Sequence, residues 1–88
     1  MFRIRWPKSL SRKLLAESAK VDSVLLTAIL DAMSDVESLL QNEPEFVGES
    51  RDANKRLLIV EPLSVRYKID HRRRVVHILG ARVRRSKR

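Results

Sequence analysis

Apolar and polar residues alternate from the first positions of the chain. Phe2, Ile4 and Trp6 are separated by Arg3 and Arg5, a period of two that predicts a strand with one face in a core and the other in water. Pro7 ends it. The period then lengthens, with Leu10, Leu14 and Ser18 at four-residue spacing and Arg12, Lys13, Glu17 and Lys20 on the wetter side, which predicts a short helix over Ser9 to Ala19. Asp22 reads as the N-cap of a longer helix reaching about Gln41, because its carboxylate accepts from an orphaned backbone N–H and suits the positive helix end. Leu25, Ile29, Ala32, Val36, Leu39 and Leu40 form its main apolar stripe. A second stripe of Leu26, Leu30 and Met33 widens that face beyond what one sheet covers, so it is expected either to receive the first helix or to dock a partner segment. Asn42-Glu43-Pro44 stops the helix, and Glu45 to Asn54 reads as a polar connection turning at Gly48.

From Lys55 the period returns to two. Leu57 to Val60 is a short apolar run broken at Glu61-Pro62-Leu63, since proline cannot donate to a sheet ladder. Val65, Tyr67 and Ile69 then alternate with Arg66, Lys68 and Asp70, and Arg74 to Val83 forms a last strand after a hairpin loop at Asp70 to Arg73. The order is β-α-α-β-β-β, an α+β domain with an N-terminal strand, a two-helix hairpin and a three-stranded antiparallel meander, the helices stacked on one face of the sheet. Eighty-eight residues make one such domain, spanning 1 to 88 with a basic tail from about Arg84.

Charge divides this chain in two. Residues 1 to 50 carry six Lys or Arg against eight Asp or Glu, and residues 51 to 88 carry thirteen against three. The clustered base is a footprint for polyanions, because Lys and Arg at phosphates release condensed counterions. Nucleic acid, an acidic protein or an anionic surface are the partners this implies, and plain solubilising charge is the alternative. The absence of cysteine excludes a disulfide framework and is compatible with a cytoplasmic setting. The apolar runs are far shorter than the roughly 18 residues of a membrane span.

Most enzyme motifs are excluded by composition. With only Gly48 and Gly80, no dinucleotide or Walker phosphate loop can be written. His71 and His77 lack carboxylates at ligand spacing, so no metal and no cofactor are expected. The basic side chains remain. Arg66 and Lys68 must leave the strand on the face opposite Val65, Tyr67 and Ile69, and Arg82 and Arg84 share a face, with Arg56 near the sheet edge. Guanidinium groups in such a setting hold phosphate oxygens and stabilise a phosphoryl transition state. Arg72-Arg73-Arg74 and the tail with Arg85 add charge suited to a non-enzymatic nucleic-acid-binding module, although Tyr67 is expected to face the core and few aromatic stacking platforms remain.

Pro44-Glu45-Phe46-Val47-Gly48-Glu49-Ser50-Arg51, Arg56-Leu57-Leu58-Ile59-Val60, Pro62-Leu63-Ser64-Val65-Arg66-Tyr67-Lys68-Ile69-Asp70 and Arg74-Val75-Val76-His77-Ile78-Leu79 together resemble the RelE/ParE superfamily of type II toxin–antitoxin toxins, most of all its plasmid-stabilisation branch. The resemblance implies a cytoplasmic toxin with a cognate antitoxin. It implies one of two targets: the ribosome and mRNA, by RNA binding or by cleavage in the manner of an mRNA interferase, or DNA gyrase; an inactive toxin homologue is the remaining possibility. By that resemblance Arg84, Arg56 and Lys55 fall near catalytic positions, Arg66, Lys68, Arg82 and Arg85 are expected at RNA, and Leu26, Leu30 and Met33 are expected at the antitoxin. Ser64 stands where cleaving relatives often place an arginine, and no tyrosine follows Arg84.

Overall fold

A computed structural model describes residues 1–19, 23–52 and 54–84. The first strand, β1 (Arg3–Arg5), leads into α1 (Lys8–Ala19) and α2 (Ser23–Asn42). The Pro7 carbonyl accepts from the N–H groups of Leu10 and Ser11, both at 3.1 Å, which closes the first turn of α1. Asp22 lies outside the described residues, so its capping role does too. Pro44 then occupies the first turn of a short α3 (Pro44–Val47), where its missing N–H costs nothing.

Four strands follow: β2 (Glu49–Asp52), β3 (Lys55–Val60), β4 (Leu63–Asp70) and β5 (Val75–Val83). The sheet order is β1-β5-β4-β3-β2. β1 runs parallel to β5, and the helices supply the long crossover that a parallel pair requires; the other pairs are antiparallel. The β-α-α-β-β-β order and the helices on one face match the sequence expectation. The connection Glu45 to Asn54 does not, because it holds α3 and the edge strand β2. α3 has only four residues and β2 has no apolar residue, so neither leaves a periodic apolar signature.

The core lies between the helix pair and one face of the sheet. Ile29, Ala32, Val36 and Leu40 descend from α2 onto Leu58, Leu63, Val65, Tyr67, Val76 and Ile78, with Phe2 and Leu14 closing the sides. Leu39, expected in the main stripe, is 39% exposed instead, since it lies one residue off the Val36–Leu40 line. At the β4–β5 turn the Asp70 carboxylate accepts from the Arg73 N–H at 3.1 Å and Arg74 takes a left-handed φ of 56°. The Arg74 guanidinium sits 5.2 Å above the Phe2 ring, which ties this turn to the start of the chain.

Candidate nucleic-acid interface

Strand pairing decides which basic residues meet. Directly paired residues share a face, and the register sets Arg5 opposite His77, His77 opposite Lys68 and Lys68 opposite Lys55. Four strands thus carry Arg5, His77, Lys68 and Lys55 in one row across the face that no helix covers, a span of about 14 Å at the usual strand separation. Arg66 and Arg82, with Ser64 between them on the ladder, extend the basic face toward the other strand ends, and Arg3 adds to it from β1. Arg3, Arg5, Arg66, Lys68 and Arg82 are exposed and make no ion pair among the described residues. On this face the Glu49 carboxylate is engaged by Arg51 at 3.4 Å and that of Asp70 by the Arg73 N–H.

Like charges at about 5 Å repel by about 1 kcal/mol in water. Lys68 and Lys55, which pair directly in the row, therefore repel each other modestly unless an anion lies across them.

Arg66 is the most fixed of these groups. The β4–β5 register shifts between Arg66 and Tyr67, and the guanidinium of Arg66 then lies over Gly80: a Cβ built on Gly80 would stand 2.5 Å from Arg66 Nη2 and 3.3 Å from its Cζ. Glycine is what lets the guanidinium settle against the neighbouring strand.

The three residues aligned with catalytic positions do not converge. Arg56 pairs in register with Tyr67 and so belongs to the helix face, where its Nη2 donates to the Gly48 carbonyl at 2.6 Å and its Nε is buried without a partner. The alternation had been broken there: Arg56 occupies a core-face position next to Leu57, which points to the open side. Lys55 is on the open face. Arg84 follows β5 near the β3–β4 turn, its N–H donating to Pro62 and its Nη1 to Glu61 Oε2 at 3.0 Å. Since Lys55 faces Lys68 and Arg84 lies beside Pro62, Lys55 and Arg84 are about six residues, or ~20 Å, apart along β4. Arg82 and Lys68 share the open face because the register shift in β5 carries Arg82 away from the core side that Val76 and Ile78 occupy, whereas Arg85 lies outside the described residues.

Arg56 instead completes a buried polar cluster. The Tyr67 hydroxyl donates to the Pro44 carbonyl at 2.7 Å, and burial pushes its phenol above the ordinary 10.0, with Arg56 and a Gly48 backbone hydrogen bond pulling the other way. Gly48 is needed for close approach. A Cβ there would run into the Tyr67 hydroxyl and stand 2.9 Å from the Leu57 carbonyl.

On α2, Leu30 is 47% exposed, while Leu26 and Met33 are half-buried and Met33 packs against the core. The second stripe is thus partly covered and partly open. Below it, Trp6 Nε1 donates to Glu37 Oε1 at 2.9 Å. One exposed aromatic was missed in the sequence: Phe46 is 79% exposed at the end of α3. A PEFV segment read as a loop gives no cue to whether its ring is in or out. Among the described residues no cluster of His, Asp or Glu is placed to hold a metal ion, and no helix is long and apolar enough to cross a membrane.

No family model matches the chain, and no curated protein sequence does. Among solved structures it is similar to a chain of the toxin–antitoxin complex RelBE2 from Mycobacterium tuberculosis, at 23% identity and a TM-score of 0.65, over 94% of this chain and 98% of that one. The RelE/ParE resemblance read from the sequence is therefore met at the level of the fold, which this chain shares with a component of a toxin–antitoxin complex over nearly its whole length.

Proposed function

We propose that this protein is the toxin of a type II toxin–antitoxin module of the RelE/ParE kind, and that it acts on translation by binding RNA on the open face of its sheet. The observation that carries this reading is the row Arg5, His77, Lys68 and Lys55, extended by Arg66 and Arg82, on a face with no helix over it. The fold shared with a chain of the RelBE2 complex supports the toxin–antitoxin assignment and a cognate antitoxin as partner. That antitoxin would neutralise charge and cover apolar area together, since among the described residues no element covers the open part of the Leu26, Leu30 and Met33 stripe or the basic face.

RNA binding, rather than cleavage, is the core of the proposal. Arg84 is engaged by Glu61 and Arg56 by Gly48, so among the described residues the three cations aligned with catalytic positions are not gathered at one point for a phosphoryl transition state.

Inducing the chain alone in bacterial cells and following growth, protein synthesis and DNA supercoiling tests the reading. Growth arrest with protein synthesis falling first, relieved by a co-expressed antitoxin, is the expected outcome. Arrest with altered supercoiling and intact translation would instead assign the chain to gyrase, and unimpaired growth would mark an inactive homologue.

A further inference from the structure

A small cleft of about 300 Å³ opens at the end of the sheet that carries the basic row, lined by Glu45, Phe46, Asn54, Arg56, Ile69 and His71. It lies on the helix side of the strands, yet Asn54 immediately precedes Lys55 and Ile69 immediately follows Lys68, so the cleft adjoins the row at the strand ends. Its volume is at the bottom of the range for small-ligand sites, enough for one planar group.

The lining is specific in kind. Phe46 offers an aromatic face that is 79% exposed, although a ring of this size is ordinarily buried. The Arg56 guanidinium is held in place by its bond to Gly48 and leaves its buried Nε without a partner. Asn54 can both donate and accept, Glu45 accepts, and His71 stands across from Glu45 with Nδ1 4.0 Å from Oε1. A phosphate is the wrong occupant because the Glu45 carboxylate lines the same cleft. A phenyl side chain from a protein partner would leave Asn54 and Glu45 facing an apolar edge. A nucleobase has a π-face for Phe46, an uncharged edge bearing both donors and acceptors, and a phosphate chain that can continue onto Lys55 and Lys68.

We propose that this cleft receives one unpaired base of the RNA strand whose phosphates lie on the row, stacked on Phe46. The inference rests on the RNA-binding reading of the open face and adds the place where a base is held.

The test uses the full chain and a single-stranded hexaribonucleotide carrying 2-aminopurine at an internal position, with a matched oligonucleotide abasic there. Wild type is expected to quench the 2-aminopurine on binding. Phe46→Ala and Phe46→Leu should bind roughly tenfold more weakly without quenching, whereas Phe46→Trp should retain both, because stacking rather than apolar area is lost. Removing the base should weaken wild type about as much as Phe46→Ala does, and should cost Phe46→Ala nothing further. The salt dependence should be the same in all four proteins, since no phosphate contact changes. The exposure of Phe46 makes these variants safe for the fold, which an unchanged thermal midpoint verifies. If Phe46→Ala binds and quenches as wild type does while the salt slope stays steep, the cleft holds no base and the RNA-binding face stands. If Phe46→Ala weakens the antitoxin complex but not RNA binding, the cleft belongs to a protein side chain and the inference is wrong. If wild type does not bind the oligonucleotide even at low salt, the inference fails together with the reading on which it rests.

Discussion

Tyr67 illustrates how one buried polar residue organises a small domain. Its ring occupies the centre of the core face of β4, and its hydroxyl reaches the Pro44 carbonyl that would otherwise be an unpaired acceptor where α2 gives way to α3. Tyr67→Phe should lower stability at pH 7 by about 1–2 kcal/mol, measured by denaturant unfolding, because it leaves that buried carbonyl without its donor. The pH dependence follows from the raised phenol pKa. A group raised in the folded state stabilises the fold fully below its unfolded value of 10.0 and loses that contribution as pH rises through the folded value. The stability gap between wild type and Tyr67→Phe should therefore stay constant up to about pH 10 and narrow above it. A gap that widened in alkali would show that burial does not hold the phenol neutral. Arg56 belongs to the same cluster. Reading it as an edge cation was natural from Lys55-Arg56 as a basic pair, but adjacent strand residues face opposite ways, and only the register with Tyr67 reveals that Arg56 points inward.

Strands and helices were legible wherever one face is apolar and the other polar. Val65, Tyr67 and Ile69 against Arg66 and Lys68 fixed both the existence of β4 and the direction of its cations, and the α2 stripe of Ile29, Ala32, Val36 and Leu40 fixed the helix face. The edge strand β2 was not legible, because Glu49, Ser50, Arg51 and Asp52 contain no apolar residue and are strand only through pairing with β3. The basic row was half legible. Alternation within β4 gave Arg66 and Lys68 a common exposed face, but Arg82 joins it only through the register shift in β5, and the alignment of Arg5 with His77 depends on the parallel β1–β5 pair, which no local pattern encodes. Two consequences belong to these elements. Lys68→Glu should stabilise the free protein by a few tenths of a kcal/mol to about 1 kcal/mol at low salt, because it relieves repulsion from the cation paired opposite in β3, while weakening RNA binding. A destabilised Lys68→Glu protein would contradict the row. Gly80→Ala should leave the thermal midpoint unchanged or slightly raised, since alanine orders a strand better than glycine, yet it should weaken RNA binding by displacing the Arg66 guanidinium. Equal RNA affinity would mean that the position of Arg66 does not matter.

The whole molecule is a thin slab, 40 × 27 × 19 Å, with its charge divided between layers. The half of the chain that supplies both long helices has more acid than base, and the half that supplies four-fifths of the sheet carries thirteen of the nineteen Lys and Arg residues. Such a body orients in the field of a polyanion with its helix-free face forward. The central claim is that this face binds RNA through phosphates. The most direct test is the slope of log affinity against log salt for a single-stranded oligoribonucleotide, measured for wild type and for the double variant Arg66→Gln, Lys68→Gln. Each phosphate contact on a single strand contributes about −0.7 to that slope, so wild type should give a steep negative slope and the double variant one shallower by about 1.4. A wild-type slope near zero, or an identical slope in the double variant, would contradict the account.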